Sequence, residues 1–174
     1  MILVMADAGL RVGEVLRLLV EDLNAQERSL FIRSGKGQKD RVSFIAPTTV
    51  RAIRDYLAMR PQLSREDWLF VNAKNRPLQR RHVVQILHRL SAKAGLPSSR
   101  RLHPHALRHF AATSWLRNGM GLDQVRRLLG HASLNTTLRY SSLVAADLQQ
   151  AHKDASAIER IGLSASRTPW RAGR

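Results

Sequence analysis

Several features are missing from this chain of 174 residues, and each absence excludes a class of protein. There is no cysteine, so disulfides and thiolate metal sites are excluded. No apolar run is long enough to span a bilayer. The apolar N-terminal stretch, MILVMADAGL, has no basic leading segment and contains Asp7, which makes it a poor signal peptide. The sequence therefore predicts a cytoplasmic protein without membrane association.

Acidic side chains are scarce, with 13 Asp and Glu against 29 Lys and Arg and a formal charge of +16. No acidic residue occurs between Asp67 and Asp123. Such an excess indicates a polyanionic partner, and double-stranded DNA fits it better than an anionic membrane, because no helix pairs a broad apolar face with a basic one. The alternative is a basic face that is merely solvated. The predicted DNA-contacting side chains are Lys39, Arg41, Arg76, Arg80, Arg81, Arg100, Arg101 and Arg139.

The spacing of apolar residues predicts a mostly α-helical domain with a small antiparallel β-sheet, an α+β fold. Two β-prone stretches, residues 29–33 and 41–45, flank SGKGQKD and predict a hairpin. Residues 68–71, WLFV, fit either a third strand or a buried segment. The predicted helices cover residues 2–19, interrupted or bent near Gly9, then Pro47 to just before Pro61, 79–94, 105–118 and 122–129, with a further turn or helix near 134–140 and weak helical character at 143–161. Residues 1–163 are expected to form one domain and 164–174 a basic, mobile tail.

Two arginines occur in settings that suit a phosphodiester. His105 and Arg108 are three residues apart on a predicted helix, so an imidazole and a guanidinium share one face. Such pairs also arise by chance. Arg11 lies in a stretch that otherwise reads as buried, and Glu14 at i+3 could orient it. A purely structural Arg–Glu pair is the alternative.

The remaining candidates are Lys36, His131 and Tyr140. Lys36 lies between two glycines at the predicted hairpin tip, where an ammonium can reach a ligand or simply be solvated. His131 directly follows a helix stop at Gly130, and Tyr140 is one of two tyrosines in the chain. A phenol titrates near ~10 in water, so nearby cations are needed before it becomes a nucleophile. The alternative is an amphipathic core tyrosine.

Five short motifs, in this order, resemble those of the tyrosine recombinase (phage integrase) family, over roughly residues 5 to 145. They are GLRVGEVLRL, GKGQKDR, HALRHFAAT, LLGH and the tyrosine of LNTTLRY. The resemblance implies a catalytic set of Arg11, Lys36, His105, Arg108, His131 and Tyr140.

The resemblance also implies a mechanism. Tyr140 would attack a DNA phosphodiester to leave a 3′-phosphotyrosine, with Arg11 and Arg108 on the non-bridging oxygens and His105 assisting proton transfer. Lys36, with or without His131, would protonate the departing 5′-oxygen. Neither ATP nor a metal or other cofactor would be needed, and self-association into a tetramer on DNA is implied.

Family members usually carry an N-terminal helical domain that clamps DNA from the other side. This chain begins almost inside the box of the first arginine, so we expect it to lack that domain and the first helix of the catalytic domain. Two alternatives stay open, a DNA-binding remnant without catalysis and a type IB topoisomerase-like nicking-closing enzyme. The complete set of six residues favours a recombinase over the former. The small size and the LGH motif favour it over the latter.

Overall fold

The structure, a computed structural model, describes residues 1–33, 39–60, 62–131, 133, 135–138, 140 and 145. The predictions for Lys36, for Arg139, for residues 143–161 other than 145 and for the tail 164–174 lie outside the described residues. None of the helices in the described ranges is both long and apolar enough to cross a membrane.

The described part of the fold is mostly helical with a three-stranded sheet, which confirms the predicted α+β class. The helices are α1 (Ile2–Ala8), α2 (Val12–Val15), α3 (Pro47–Ala58), α4 (Arg80–Lys93), α5 (Pro104–Arg117) and α6 (Leu122–Leu129). The strands are β1 (Leu23–Asn24), β2 (Ser29–Ile32) and β3 (Arg41–Phe44), joined in the order β1-β2-β3. Residues 135–138 and 140 are also helical.

The sheet is antiparallel, with Leu30 opposite Ser43 and Phe31 opposite Val42. Its inner face carries the buried Leu30, Ile32 and Ser43. The Ser43 hydroxyl donates a hydrogen bond to the Ala8 carbonyl, 3.1 Å away, so the polar residue is satisfied at the end of α1. The sheet thereby holds the first residue of β3 next to the C-termini of α1 and α6.

Of the interruption or bend predicted near Gly9, the structure shows an interruption, with α1 ending at Ala8 and α2 beginning at Val12. Gly9 adopts a left-handed conformation, φ +62°, and a Cβ atom there would lie 2.9 Å from Trp115 and 3.0 Å from Leu129. Both the backbone angle and the close approach of α5 and α6 therefore require glycine. The break frees the chain to turn into α2 and places Arg11 at the start of that helix.

Two apolar segments, residues 68–71 and helix α4, can be compared with their sequence predictions. Residues 68–71 take the buried-segment alternative, because Leu69 and Phe70 are buried and only single bridges join Trp68 to Leu19 and Val71 to Pro77. On α4, the apolar spacing predicts an inward face of Val83, Ile86, Leu87 and Leu90. Val83 and Leu87 are buried, but Leu90 is exposed and Ser91 takes the next inward position. Ser91 is tolerated there because its hydroxyl donates to the Leu87 carbonyl and accepts from the Leu102 amide.

Candidate active site

A cleft of about 590 Å³ is formed by the segment after α1, the first turns of α5 and the segment that follows α6. Five of the six predicted catalytic residues line it, namely Arg11, His105, Arg108, His131 and Tyr140. Lys36 lies outside the described residues. Side chains that are as much as 129 positions apart along the sequence therefore face one space.

Arg108 is the most deeply buried cation of this cleft, with 4% of its surface exposed. Its Nη1 donates to the Gly9 carbonyl and its Nη2 to the Leu129 carbonyl, both at 2.7 Å. These carbonyls belong to the ends of α1 and α6, where unpaired oxygens and the helix dipoles favour a cation. Burial, and then the nearby charge of Arg11, lower the pKa of Arg108 to about 10, so it stays protonated at neutral pH.

Glu14 is the buried carboxylate around which the arginines gather. Its oxygens accept from the Arg11 amide at 2.7 Å and from the Arg11 Nη1 at 3.1 Å. Both nitrogens of the Arg41 fork donate to it at 2.9 Å, and Arg108 Nη1 lies 3.8 Å away. Burial alone would raise the pKa of Glu14, but the hydrogen bonds and charge of Arg41 outweigh it and leave that pKa below its ordinary value.

The sequence pointed to Glu14 only as a partner of Arg11, and the structure gives it three arginines. Three guanidinium groups around one carboxylate leave an excess of two positive charges beside the cleft. An excess of this size complements a phosphodiester, and more so the extra negative charge that builds up when a nucleophile adds to phosphorus.

Arg41 does not lie where a DNA contact requires. Its side chain is 9% exposed, and its Nε donates to the Leu128 carbonyl at 2.8 Å while its two terminal nitrogens bind Glu14. This placement argues against the DNA contact predicted for Arg41. In the sequence, Arg41 looks like a DNA contact because it is a strand residue that follows a basic turn. Its acceptors, Glu14 and the Leu128 carbonyl, lie 27 and 87 positions away along the chain, so no local pattern reveals them.

His131 is held by the C-terminus of α6. Gly130 adopts φ +65°, and the His131 amide donates back to the Arg126 carbonyl at 3.1 Å, which closes the helix. The imidazole is buried, and its Nδ1 lies 3.0 Å from the hydroxyl of the fully buried Thr137. Burial, followed by the charge of Arg108, lowers the pKa of His131 to about 4, so the ring is neutral at neutral pH.

Tyr140 lies between two imidazoles. Its ring is nearly parallel to that of His131, with centroids 6.4 Å apart, and is tilted against that of His109 at 5.1 Å. Tyr140 also packs against the small apolar cluster of Ala112, Val125 and Leu129, although it is only partly buried and lines the cleft. His109 was missed in the sequence, although it directly follows Arg108 and its spacing of four from His105 places both on one side of α5.

Most of the other predicted DNA contacts are exposed as expected. This set comprises Lys39, Arg76, Arg80, Arg81, Arg100 and Arg101. Arg139 lies outside the described residues. Within the described ranges, no group of three or more His, Asp or Glu side chains is arranged to hold a metal ion.

Acidification from pH 6.5 to pH 4 is expected to lower the free energy of unfolding by up to about 3 kcal/mol through His131 alone. The unfolded chain binds a proton at this ring near pH 6.5, whereas the folded chain binds it only near pH 4, so stability falls across that window and no further below it. Urea unfolding of wild type and His131→Gln at several pH values measures the difference. His88→Gln, at an exposed position on α4, should keep the wild-type slope. Equal slopes for wild type and His131→Gln would contradict the buried neutral imidazole.

The curated proteins to which this chain is similar include several tyrosine recombinases. Tyrosine recombinase XerA of Pyrococcus furiosus is 36% identical over 163 residues, which cover 92% of this chain and 55% of the relative. Tyrosine recombinase XerC of Listeria welshimeri is 36% identical over 154 residues, covering 86% of this chain and 50% of the relative. The chain thus spans about half the length of the curated relatives it matches.

Solved structures agree with the sequence relatives. The crystal structure of XerA recombinase superposes with a TM-score of 0.78 and 35% identity over 88% of this chain and 56% of that one. The XerH site-specific recombinase, in a post-cleavage complex with palindromic difH substrate, gives a TM-score of 0.74 and 30% identity over 91% of this chain and 44% of that one. The model of the phage integrase family matches residues 1–146, most of the chain. By this match and by its relatives, the chain belongs to the phage integrase family, the tyrosine recombinases.

Proposed function

We propose that this chain recombines DNA at specific sites by cutting and rejoining strands through a 3′-phosphotyrosine at Tyr140. The observation that carries the proposal is the convergence of the Tyr140 phenol, Arg11, Arg108 and the imidazoles of His105 and His131 on one cleft. In the first step the phenol oxygen bonds to phosphorus, the bond from phosphorus to the 5′-oxygen breaks, and the phenol proton passes to the imidazole of His105. Attack by a 5′-hydroxyl of another strand then releases the tyrosine and reseals the backbone.

The guanidinium groups supply electrostatic stabilisation in this reaction. Each terminal nitrogen of Arg108 donates one N–H to a carbonyl, Nη1 to Gly9 and Nη2 to Leu129. Each nitrogen carries a second N–H, which can donate to another acceptor. We assign those donors, with Arg11, to the non-bridging oxygens of the phosphate. Because the fork is already held by backbone, little reorganisation is needed when charge develops.

His131 and Lys36 have different parts in the proposal. A His131 ring that is neutral at pH 7 is a hydrogen-bond donor or acceptor and not a proton reservoir. Its Nδ1 faces Thr137, which leaves Nε2 for the phosphate. The proton for the departing 5′-oxygen is therefore assigned to Lys36, and His105, exposed at the cleft, to assistance in proton transfer.

Double-stranded DNA is the proposed substrate, and several copies of the chain are proposed to assemble on it. The exposed basic residues of the acid-free stretch support the first point. The palindromic substrate of XerH supports the second, because a two-fold symmetric site is matched by paired protein copies. A DNA substrate also favours the cytoplasm as the site of action.

The test is a covalent trap. The 174-residue protein is first used to select a duplex from a randomised pool, and that duplex is then nicked beside the cut phosphate so that the short 5′-hydroxyl fragment diffuses away. We expect a protein–DNA adduct that proteolysis and mass spectrometry map to Tyr140. An adduct at another residue overturns the assignment of the nucleophile. Selection of a duplex without any adduct supports the DNA-binding remnant, and relaxation of supercoiled plasmid irrespective of sequence supports the topoisomerase-like alternative.

A further inference from the structure

The last turn of α6 offers two consecutive carbonyls to buried arginines from different parts of the chain. Arg41, at the start of β3, takes the Leu128 carbonyl through Nε at 2.8 Å. Arg108, on α5, takes the Leu129 carbonyl at 2.7 Å. Both guanidinium groups also face Glu14, Arg41 with two hydrogen bonds and Arg108 at 3.8 Å. The two arginines therefore share two anchors, and moving one of them alters the surroundings of the other.

Gly130 makes room for Arg41 as well as ending the helix. A Cβ atom at Gly130 would lie 3.0 Å from Nη1, and 3.1 Å from Cδ and Cζ, of Arg41. These contacts show that the guanidinium lies directly on the Gly130 peptide. The residue next to Gly130 is His131, so Arg41 is packed against the turn that carries this imidazole.

We propose that Arg41 is a positioning residue of the cleavage site, joining strand β3 to Glu14 and to the Gly130 turn so that Arg11, Arg108 and His131 keep fixed places. The inference rests on the proposed function, in which those three side chains hold the phosphate. Arg41 itself touches no substrate in this proposal, because its three bonds and its burial use the guanidinium inside the protein.

Charge balance explains why the position matters. With Arg41 present, Glu14 is bound by a complete fork, and Arg108 stays at 3.8 Å with its hydrogen bonds on the two carbonyls. Without Arg41, the buried carboxylate must be compensated by Arg11 and Arg108 alone. Both are then drawn towards Glu14 and away from a phosphate in the cleft. The loss should therefore appear in the cleavage step and not in DNA affinity.

Lysine cannot replace Arg41. A guanidinium spans the Leu128 carbonyl and both oxygens of Glu14 at once, whereas an ammonium is a single point on a flexible stem. Arg41→Lys keeps the charge but loses this geometry, which separates the effect of position from that of charge.

The first experiment measures the rate of covalent trapping at saturating DNA, together with DNA affinity. Arg41→Met is expected to slow trapping about 100-fold, as misplacement of a catalytic group by about 1 Å does. Arg41→Lys should fall between Arg41→Met and wild type, and both should bind DNA within about 3-fold of wild type. Arg54→Met is the matched control, because the same change at an exposed arginine of α3, outside the predicted DNA contacts and the cleft, should leave both DNA affinity and the trapping rate near wild type.

The proposal is overturned if Arg41→Met weakens binding while the bound complex cleaves at the wild-type rate, since Arg41 would then be a DNA contact. A wild-type rate in Arg41→Lys would also overturn it, since charge alone would suffice. If Arg41→Met does not fold, the Arg41→Lys rate decides.

A second experiment needs no activity, so it separates this inference from the proposed function. In the DNA-free protein, burial lowers the pKa of His131 most, the charges of Arg108, Arg11 and Arg41 lower it further, and that of Glu14 raises it, so NMR should show a higher His131 pKa in Arg41→Met. Gly130→Ala should lower the urea midpoint less in an Arg41→Ala background than in wild type, because the collision disappears. Additive midpoints and an unchanged His131 pKa would refute the positioning role even in a fully active protein. If the His131 pKa rises and the urea midpoints are not additive, but the protein never forms the adduct, the positioning role of Arg41 is retained and the proposed function is rejected.

Discussion

Tyr140→Phe is expected to abolish the covalent protein–DNA adduct, a loss of at least about 10⁴-fold in trapping rate, because no other group can form the phosphotyrosine bond. Folding should be unaffected, since the phenylalanine ring keeps the packing against the small apolar cluster and the contacts with His109 and His131. DNA affinity should stay close to that of wild type. The measurement is the suicide-substrate assay, with urea unfolding in parallel.

The other tyrosine of the chain provides the matched control. The Tyr56 hydroxyl accepts a hydrogen bond from the Val71 amide at 3.1 Å, far from the cleft in sequence and not among its lining residues. Tyr56→Phe should therefore cost about 1 kcal/mol of stability and leave trapping intact. The two variants thus have opposite expected profiles. Adduct formation by Tyr140→Phe, or its loss in Tyr56→Phe, would assign the nucleophile elsewhere.

Arg108→Met is expected to reduce trapping about 10³-fold and to destabilise the fold by about 3 kcal/mol. The rate falls because the best-oriented guanidinium of the cleft is removed. The stability falls because the carbonyls of Gly9 and Leu129 lose their donor in a buried place and Glu14 loses a counter-charge. Trapping kinetics and urea unfolding measure the two losses.

Two further substitutions make the Arg108 result interpretable. Arg108→Lys restores the charge but supplies one nitrogen for two carbonyls, so it should recover part of the stability and little of the rate. Arg117→Met removes an exposed arginine from the same helix and should leave both quantities near wild type. A large loss of stability with an undiminished rate in Arg108→Met would reduce Arg108 to a structural residue.

The sequence predicts the layout of this fold well where local signals exist. Glycine and proline mark the break after α1, the start of α3 and the end of α6, and the apolar spacing places α4 and α5 within a residue or two of their observed bounds. The sequence does not predict that β1 pairs with β2, nor which of the two alternatives residues 68–71 take, because two-residue pairing and burial without periodicity leave no pattern to read.

The site divides in the same way. The order of the motifs is enough to nominate Arg11, Arg108 and Tyr140, and the structure brings them to one cleft. The role of Arg41 could not be predicted, because it depends on a carboxylate and a carbonyl supplied by distant segments. The three arginines that surround Glu14 could not be predicted either, because two of them come from distant segments of the chain. Burial decides both cases, and burial is a property of the assembled chain.

The dependence of Arg108 on the ends of two helices links the proposed chemistry to the completion of folding. Its guanidinium is held in place only when the Gly9 carbonyl at the end of α1 and the Leu129 carbonyl at the end of α6 lie next to each other. In the proposed reaction, a chain in which either helix is undocked would present basic side chains to DNA but would lack a complete cradle for the phosphate. Strand cleavage would therefore require that both helices are docked.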